Sequence, residues 1–201
     1  MKRTEHISPQ TRRIAKAVAP LSAADAKRAI VRATAYLRPE LTRGGHSRFR
    51  VLGAELSLTR SDSKTAPVRR QIEVLIVDYL NRRHLRVAIE GSRVAEVRDL
   101  AGQPAYAADE IKEARGIAVR APELAALTRA RGVFVDAFAP GQHLPGERRI
   151  GLRFLMASGD EPAAALALAE VDLIDERLLG YELTSAGRLI GQKRGKHGRV
   201  R

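Results

Sequence analysis

A chain of 201 residues with 44% apolar side chains holds enough material for one large domain or two small ones, and excludes wholesale disorder. No Cys means no disulfide, no thiolate metal ligand and no thiol chemistry, while the absence of Trp and 4% aromatic content demand an aliphatic, alanine-rich core. The net charge of +13 is concentrated at the ends: residues 1–16 carry +4 and residues 185–201 carry +6, leaving the body nearly balanced.

The opening residues lack the apolar stretch that a secretory signal needs after its basic start. No run approaches the roughly 18–20 apolar residues of a spanning helix, and the alanine-rich segment 163–169 is far too short. The expectation is a soluble, cytoplasmic protein with no membrane partner.

Residues 1–19 read as a basic leader. Ser22-Ala23-Ala24-Asp25 then has the form of a capping box, a hydroxyl for a free helix amide and a carboxylate that reaches back. The pattern predicts a helix to Tyr36-Leu37, with Ala26, Ile30, Ala33 and Leu37 on its buried stripe. Pro39 is expected to end it, because the residue before a proline avoids helical geometry. After Gly44-Gly45 come three strands. Residues 48–59 alternate imperfectly, with Phe49, Val51, Leu56 and Leu58 inward, and a polar loop covers 61–67. Residues 71–79 form the most apolar strand, and Asn81-Arg82-Arg83 reads as a hairpin turn. Residues 84–90 alternate cleanly, with Leu85, Val87 and Ile89 on one face, and 94–97 extend that strand past Gly91-Ser92.

A second unit begins at Gln103-Pro104. Pro20-Leu21-Ser22-Ala23-Ala24-Asp25 and Pro104-Ala105-Tyr106-Ala107-Ala108-Asp109 share a Pro-x-x-Ala-Ala-Asp start, with an acid in the first turn where the helix dipole favours it. Tyr106 stands where the first copy has its capping hydroxyl, so the second cap is weaker. The helix is expected to reach about residue 120, with a short helix over 123–131 after Pro122 and Gly132 as its stop. Strands follow at 133–138, 150–156 and 164–174. The repeated order helix-strand-strand-strand points to duplication: an α+β chain with units at 20–100 and 101–184, then a flexible, solvated basic tail at 185–201.

The segments Asp109-Glu110-Ile111, Val133-Phe134-Val135-Asp136-Ala137-Phe138-Ala139-Pro140-Gly141 and Ala169-Glu170-Val171-Asp172-Leu173 resemble copper amine oxidases. The second unit is similar to the second, and residues 20–97 to the first, of the two small domains called N2 and N3 that precede the catalytic domain there. The resemblance spans about residues 20–183. It implies two tandem cystatin-like units, each a helix packed on a curled antiparallel sheet. It also implies a non-catalytic protein-interaction module, either serving a separately encoded amine oxidase catalytic subunit or split off from such an oxidase, while exposed sheet surface invites pairing with a second copy of the chain. Around Asp136 this chain has Ala-Phe-Ala-Pro-Gly where the family commonly has Pro-Trp-Ser-Ala-Gly.

The family's reaction needs copper held by three His, two of them as His-x-His, beside a Tyr within Asn-Tyr-Asp/Glu. Here His6, His46, His84, His143 and His197 are scattered, and the single Tyr-acid pair, Tyr181-Glu182, follows Gly180. The expectation is no catalytic residue, no metal and no cofactor, with Tyr181 as a strand-end residue. Asp136, Asp172 and Asp175 are weighed as an acid cluster against ordinary solvated strand ends, and the latter is preferred. His84 and His46 are expected at exposed turns. The run from Gly191 to His197 lacks the glycine spacing and the Ser/Thr of a phosphate loop. Arg188, Lys193, Arg194, Lys196, Arg199 and Arg201 form a basic tail that is read first as a solubilising end; the alternative is a polyanion-binding tail for nucleic acid or an acidic partner, gaining affinity through counterion release.

Overall fold

The computed structural model describes residues 19–59, 69–141, 144–158 and 161–195. Two compact units divide the chain, Met1–Ala101 and Gly102–Arg201. Both combine helix with a four-stranded antiparallel sheet, an α+β architecture.

The first unit opens with helix α1 (Ala23–Leu41). Ser22 is its N-cap: the hydroxyl accepts from the Asp25 amide at 3.1 Å and donates to the Asp25 carboxylate at 2.6 Å. The carboxylate thus reaches the hydroxyl, and it also accepts from Arg28 at 2.6 Å. The helix does not stop at Pro39 but runs to Leu41, which is buried. Burying a leucine contributes about 2 kcal/mol, comparable to the ~3 kcal/mol that an internal proline costs. Two further ties hold the last turn, Asn81 donating to the Glu40 carbonyl at 3.0 Å and Arg83 pairing with the Glu40 carboxylate at 3.3 Å.

A two-residue hairpin, β1 (Thr42–Arg43) and β2 (His46–Ser47), turns on Gly44 and Gly45, at φ +58° and +81°. These are left-handed conformations that glycine adopts without strain. Strands β3 (Phe49–Thr59), β4 (Arg69–Asp78), β5 (Arg83–Glu90) and β6 (Arg93–Asp99) then pair in the order β3-β4-β5-β6. The imperfect alternation of β3 is a bulge. Register shifts between Val51 and Gly53, so Val51 opposes Ile76 while Ala54 opposes Val74. Ala54, not only the larger side chains, therefore packs on the core, whereas Phe49 and Leu58 are exposed. Residues 94–97 do not extend β5. Gly91, at φ +58°, reverses the chain and makes them a fourth strand. The core is Ala29, Ala33, Leu37 and Leu41 of α1 against Val74, Ile76, Leu85, Val87 and Ile89 of the sheet. Ala33 and Leu37 thus lie on the expected stripe with half-buried Ile30 packed against it, while Ala29 and Leu41, not Ala26, complete its fully buried line.

The second unit contains α2 (Ala108–Ala118), α3 (Pro122–Thr128), strands β7 (Val133–Phe138), β8 (Arg149–Ser158), β9 (Glu161–Asp172) and β10 (Arg177–Leu183), and α4 (Ser185–Gly195). Its sheet order is β10-β9-β8-β7, so a fourth strand follows the three expected from sequence. Period-2 alternation puts Ile150, Leu152 and Phe154 of β8 and Ala167, Ala169 and Val171 of β9 in the core, with Ala114, Ile117, Leu124 and Leu127 from the helices.

Residues 185–195 are helical, not a flexible tail. Thr184 explains why. Its hydroxyl accepts from the Gly187 amide at 3.2 Å, an N-cap, while its own amide donates to the Leu166 carbonyl at 2.9 Å. Gly187 is buried, and a Cβ there would sit 2.1 Å from the Leu166 carbonyl oxygen, so only glycine admits this approach to β9.

The two units also share a turn. Asp78 accepts from the amides of Leu80 and Asn81, both at 3.1 Å; Asp172 accepts from those of Ile174 and Asp175, at 2.8 and 3.3 Å. Arg82 and Glu176 follow at φ +52° and +50°, and the amides of Tyr79 and Leu173 donate to the carbonyls of Arg48 and Arg148 at 3.0 and 2.9 Å. By this pattern β3, β4 and β5 correspond to β8, β9 and β10. The order helix-strand-strand-strand expected from sequence pairs β3 with β7 instead.

Candidate functional site

Three places concentrate polar or exposed apolar chemistry. The first is wholly internal. Arg148, just before β8, and Glu110, in the first turn of α2, have fully buried side chains and pair at 2.6 Å. Arg148 donates from Nε and Nη2 to the two Glu110 oxygens at 2.8 and 2.6 Å, and to the carbonyls of Pro104 and Ala105 at 2.7 and 3.1 Å. Its guanidinium lies 4.7 Å from the centre of the Tyr106 ring. Glu110 also accepts from the Ala107 amide at 2.8 Å, the return half of a capping box whose other half the Ala107 side chain cannot supply. Tyr106 donates to the Arg149 carbonyl at 2.5 Å, and burial, reinforced by the Glu110 and Glu170 charges, raises its pKa to about 12. The pair is saturated by its own neighbours, so its chemistry is to pin the residues entering α2 against the start of β8.

The second place is the outer side of α1. Val31 and Tyr36 are each 59% exposed on a helix whose opposite face is buried. With Ala24, Ala35, Ser92 and Val94 they line a shallow groove of about 760 Å³, bordered by Lys27, Arg28 and Arg32. Arg32 is held in place by donating to the Gly91 carbonyl at 3.1 Å, and Arg28 by Asp25. The Asp25 carboxyl is correspondingly held below its usual range, first by the Ser22 hydroxyl and then by Arg28.

The third is the face of the second sheet turned away from its core. Phe138, Gly151, Glu170 and Gly180 form one cross-strand row, Asp136, Arg153, Leu168 and Glu182 the next. The Phe138 ring lies over Gly151, where a Cβ would meet it at 2.4 Å, and Arg153 sits 5.4 Å from that ring while pairing with Asp136. Leu168 and Leu179 stay 43% and 38% exposed beside a hollow of about 580 Å³.

The residues singled out from sequence are dispersed. Arg188 is exposed on α4; Lys193 and Arg194 fall in that helix's last turn; Lys196, Arg199 and Arg201 lie outside the described residues, as do His6, His143 and His197. His46 is exposed in β2. His84 is not at an exposed turn: it is 3% exposed within β5, because the turn falls one step earlier and His84 already opposes Val77. Tyr181 sits inside β10, not at a strand end, and donates to Glu123 of α3 at 3.0 Å, a bond that raises its pKa. Asp136 pairs with Arg153 while Asp172 is a buried turn cap, so neither belongs to an acid cluster. Among the described residues no group of three or more His, Asp or Glu is placed to hold a metal ion. No helix among them is long and apolar enough to cross a membrane. The Arg148–Glu110 pair escaped sequence reasoning, although a glutamate at the third position of a weakly capped helix is a signal for it.

No family model matches the chain, and no curated protein matches it.

Proposed function

We propose that the chain is a non-catalytic protein-interaction module of two cystatin-like units, akin to the N2 and N3 domains of copper amine oxidases. It serves a separately encoded amine oxidase catalytic subunit or pairs with a copy of itself. One observation carries this reading: each unit leaves apolar side chains on its outside, Val31 and Tyr36 in the first, Leu168 and Leu179 in the second. The buried ionisable groups support it, since Arg148, Glu110, Asp78 and Asp172 hold entry segments and turns.

The test is sedimentation of the purified full chain, alone and co-expressed with an adjacent-gene product carrying His-x-His and Asn-Tyr-Asp/Glu. A dimer or a stoichiometric complex is expected. A chain that stays monomeric and unbound, or that alone takes up copper stoichiometrically and releases peroxide from amines, would refute the reading.

A second reading, a basic adaptor for nucleic acid or an acidic partner, is favoured by one feature. Arg188, Lys193 and Arg194 stand on an ordered helix rather than on a free chain. Reversing these three charges should abolish binding to mixed-sequence DNA, and added salt should weaken whatever binding the native chain shows.

A further inference from the structure

We propose that the groove on the outer side of α1 seats an acidic amphipathic helix of a partner protein. The proposal rests on the interaction-module reading and gives the partner its chemistry. The floor of the groove is apolar, Val31 and Ala35 from α1 facing Val94 from β6. Its border is cationic: Lys27, Arg28 and Arg32 line it with no carboxylate among the lining residues, and Arg28 is paired with Asp25. Arg28 and Arg32 are each anchored by one hydrogen bond, which fixes their direction and leaves further N–H groups for a ligand. Lys27 has no ion pair or hydrogen bond among the described residues.

The spacing suits a helix. Lys27, Val31 and Ala35 are four residues apart, as are Arg28, Arg32 and Tyr36, so apolar and basic positions advance together by roughly 6 Å. A partner helix with apolar residues at i, i+4 and i+7 and acids beside them meets both rows in register. The segment from Ala24 to Tyr36 spans roughly 18 Å, about three turns of such a helix. Two other surfaces fit less well. Half-buried Val94 packs against the core and so offers little to a flat anionic bilayer, and an apolar floor gives nothing to a nucleic-acid backbone.

The probe is a fluorescein-labelled peptide of roughly 18 residues with leucines at i, i+3, i+4 and i+7 and glutamates between them. Controls are a leucine-scrambled peptide, a Lys-for-Glu peptide and phosphatidylglycerol vesicles. The full chain is used throughout, with circular dichroism to show that each variant is folded. The Glu/Leu peptide should bind, and Val31→Glu and Lys27→Glu should each weaken it by about tenfold, while Leu168→Glu on the other unit changes nothing. Equal binding of either control peptide, binding to vesicles but not to the peptide, or indifference to Val31→Glu would overturn the proposal. If the dimer or oxidase complex survives Val31→Glu while the peptide fails to bind, the module reading stands and the groove's occupant is wrong.

Discussion

Replacing Arg148 by Met removes a guanidinium that donates four hydrogen bonds and leaves the Glu110 carboxylate buried beside a thioether. Removing one partner of a buried pair typically costs about 3–5 kcal/mol. The carbonyls of Pro104 and Ala105, now without their donor, push toward the upper end of that range. Glu110→Leu should cost a similar amount, because it strands the positive charge instead. The double variant removes both charges, so only the orphaned carbonyls and the Ala107 amide remain, about 1–3 kcal/mol. The double variant should therefore be more stable than either single one. Since the chain has two compact units, urea unfolding is best followed by peptide-resolved hydrogen exchange, which reads Gly102–Arg201 by itself. A double variant that loses as much as the two singles combined would show that the groups are not coupled, and the account of this site would fall.

Asp78→Ala and Asp172→Ala each deprive two turn amides of their acceptor and should cost about 1–3 kcal/mol, each confined to its own unit in the same exchange experiment. Gly187→Ala drives a Cβ into the Leu166 carbonyl and should cost about 1–3 kcal/mol by lifting α4 off β9, seen as new proteolytic cleavage after Thr184. Gly116→Ala, on α2 with nothing within 4 Å, should instead stabilise by about 0.5–1 kcal/mol. For Tyr106 the folded pKa is about 12 against an ordinary 10.0. The folded chain thus holds a proton that the unfolded chain gives up, and stability present below pH 10 is lost as pH rises toward 12. Alkaline unfolding should shift to higher pH in Tyr106→Phe relative to any loss that variant shows at neutral pH.

What was legible in the sequence is what short-range rules control. The Ser22 cap, the Leu85-Val87-Ile89 face and the runs of β7 and β8 all follow from capping and period-2 alternation. What was not legible depends on partners distant along the chain. The continuation of α1 past Pro39 rests on Asn81 and Arg83, some forty residues on. Helix α4 exists where composition suggests a solvated tail because Gly187 meets Leu166 on a strand. Likewise, Glu110 looks like any first-turn acid until Arg148, 38 residues later, is folded against it. The exposed groove on α1 was missed for a different reason. A Val and a Tyr outside the buried stripe are ordinary surface residues until β6 brings Val94 alongside.

The offset between the units carries a consequence for tracing their origin. Matching them by order along the chain shifts every strand by one place, whereas matching them by the aspartate-capped reversal brings three strands into line. The leftover strand then flanks opposite margins, β6 beyond β5 in one and β7 beside β8 in the other. A common ancestor with only those three strands, extended independently on either side, would leave little for a residue-by-residue comparison to detect.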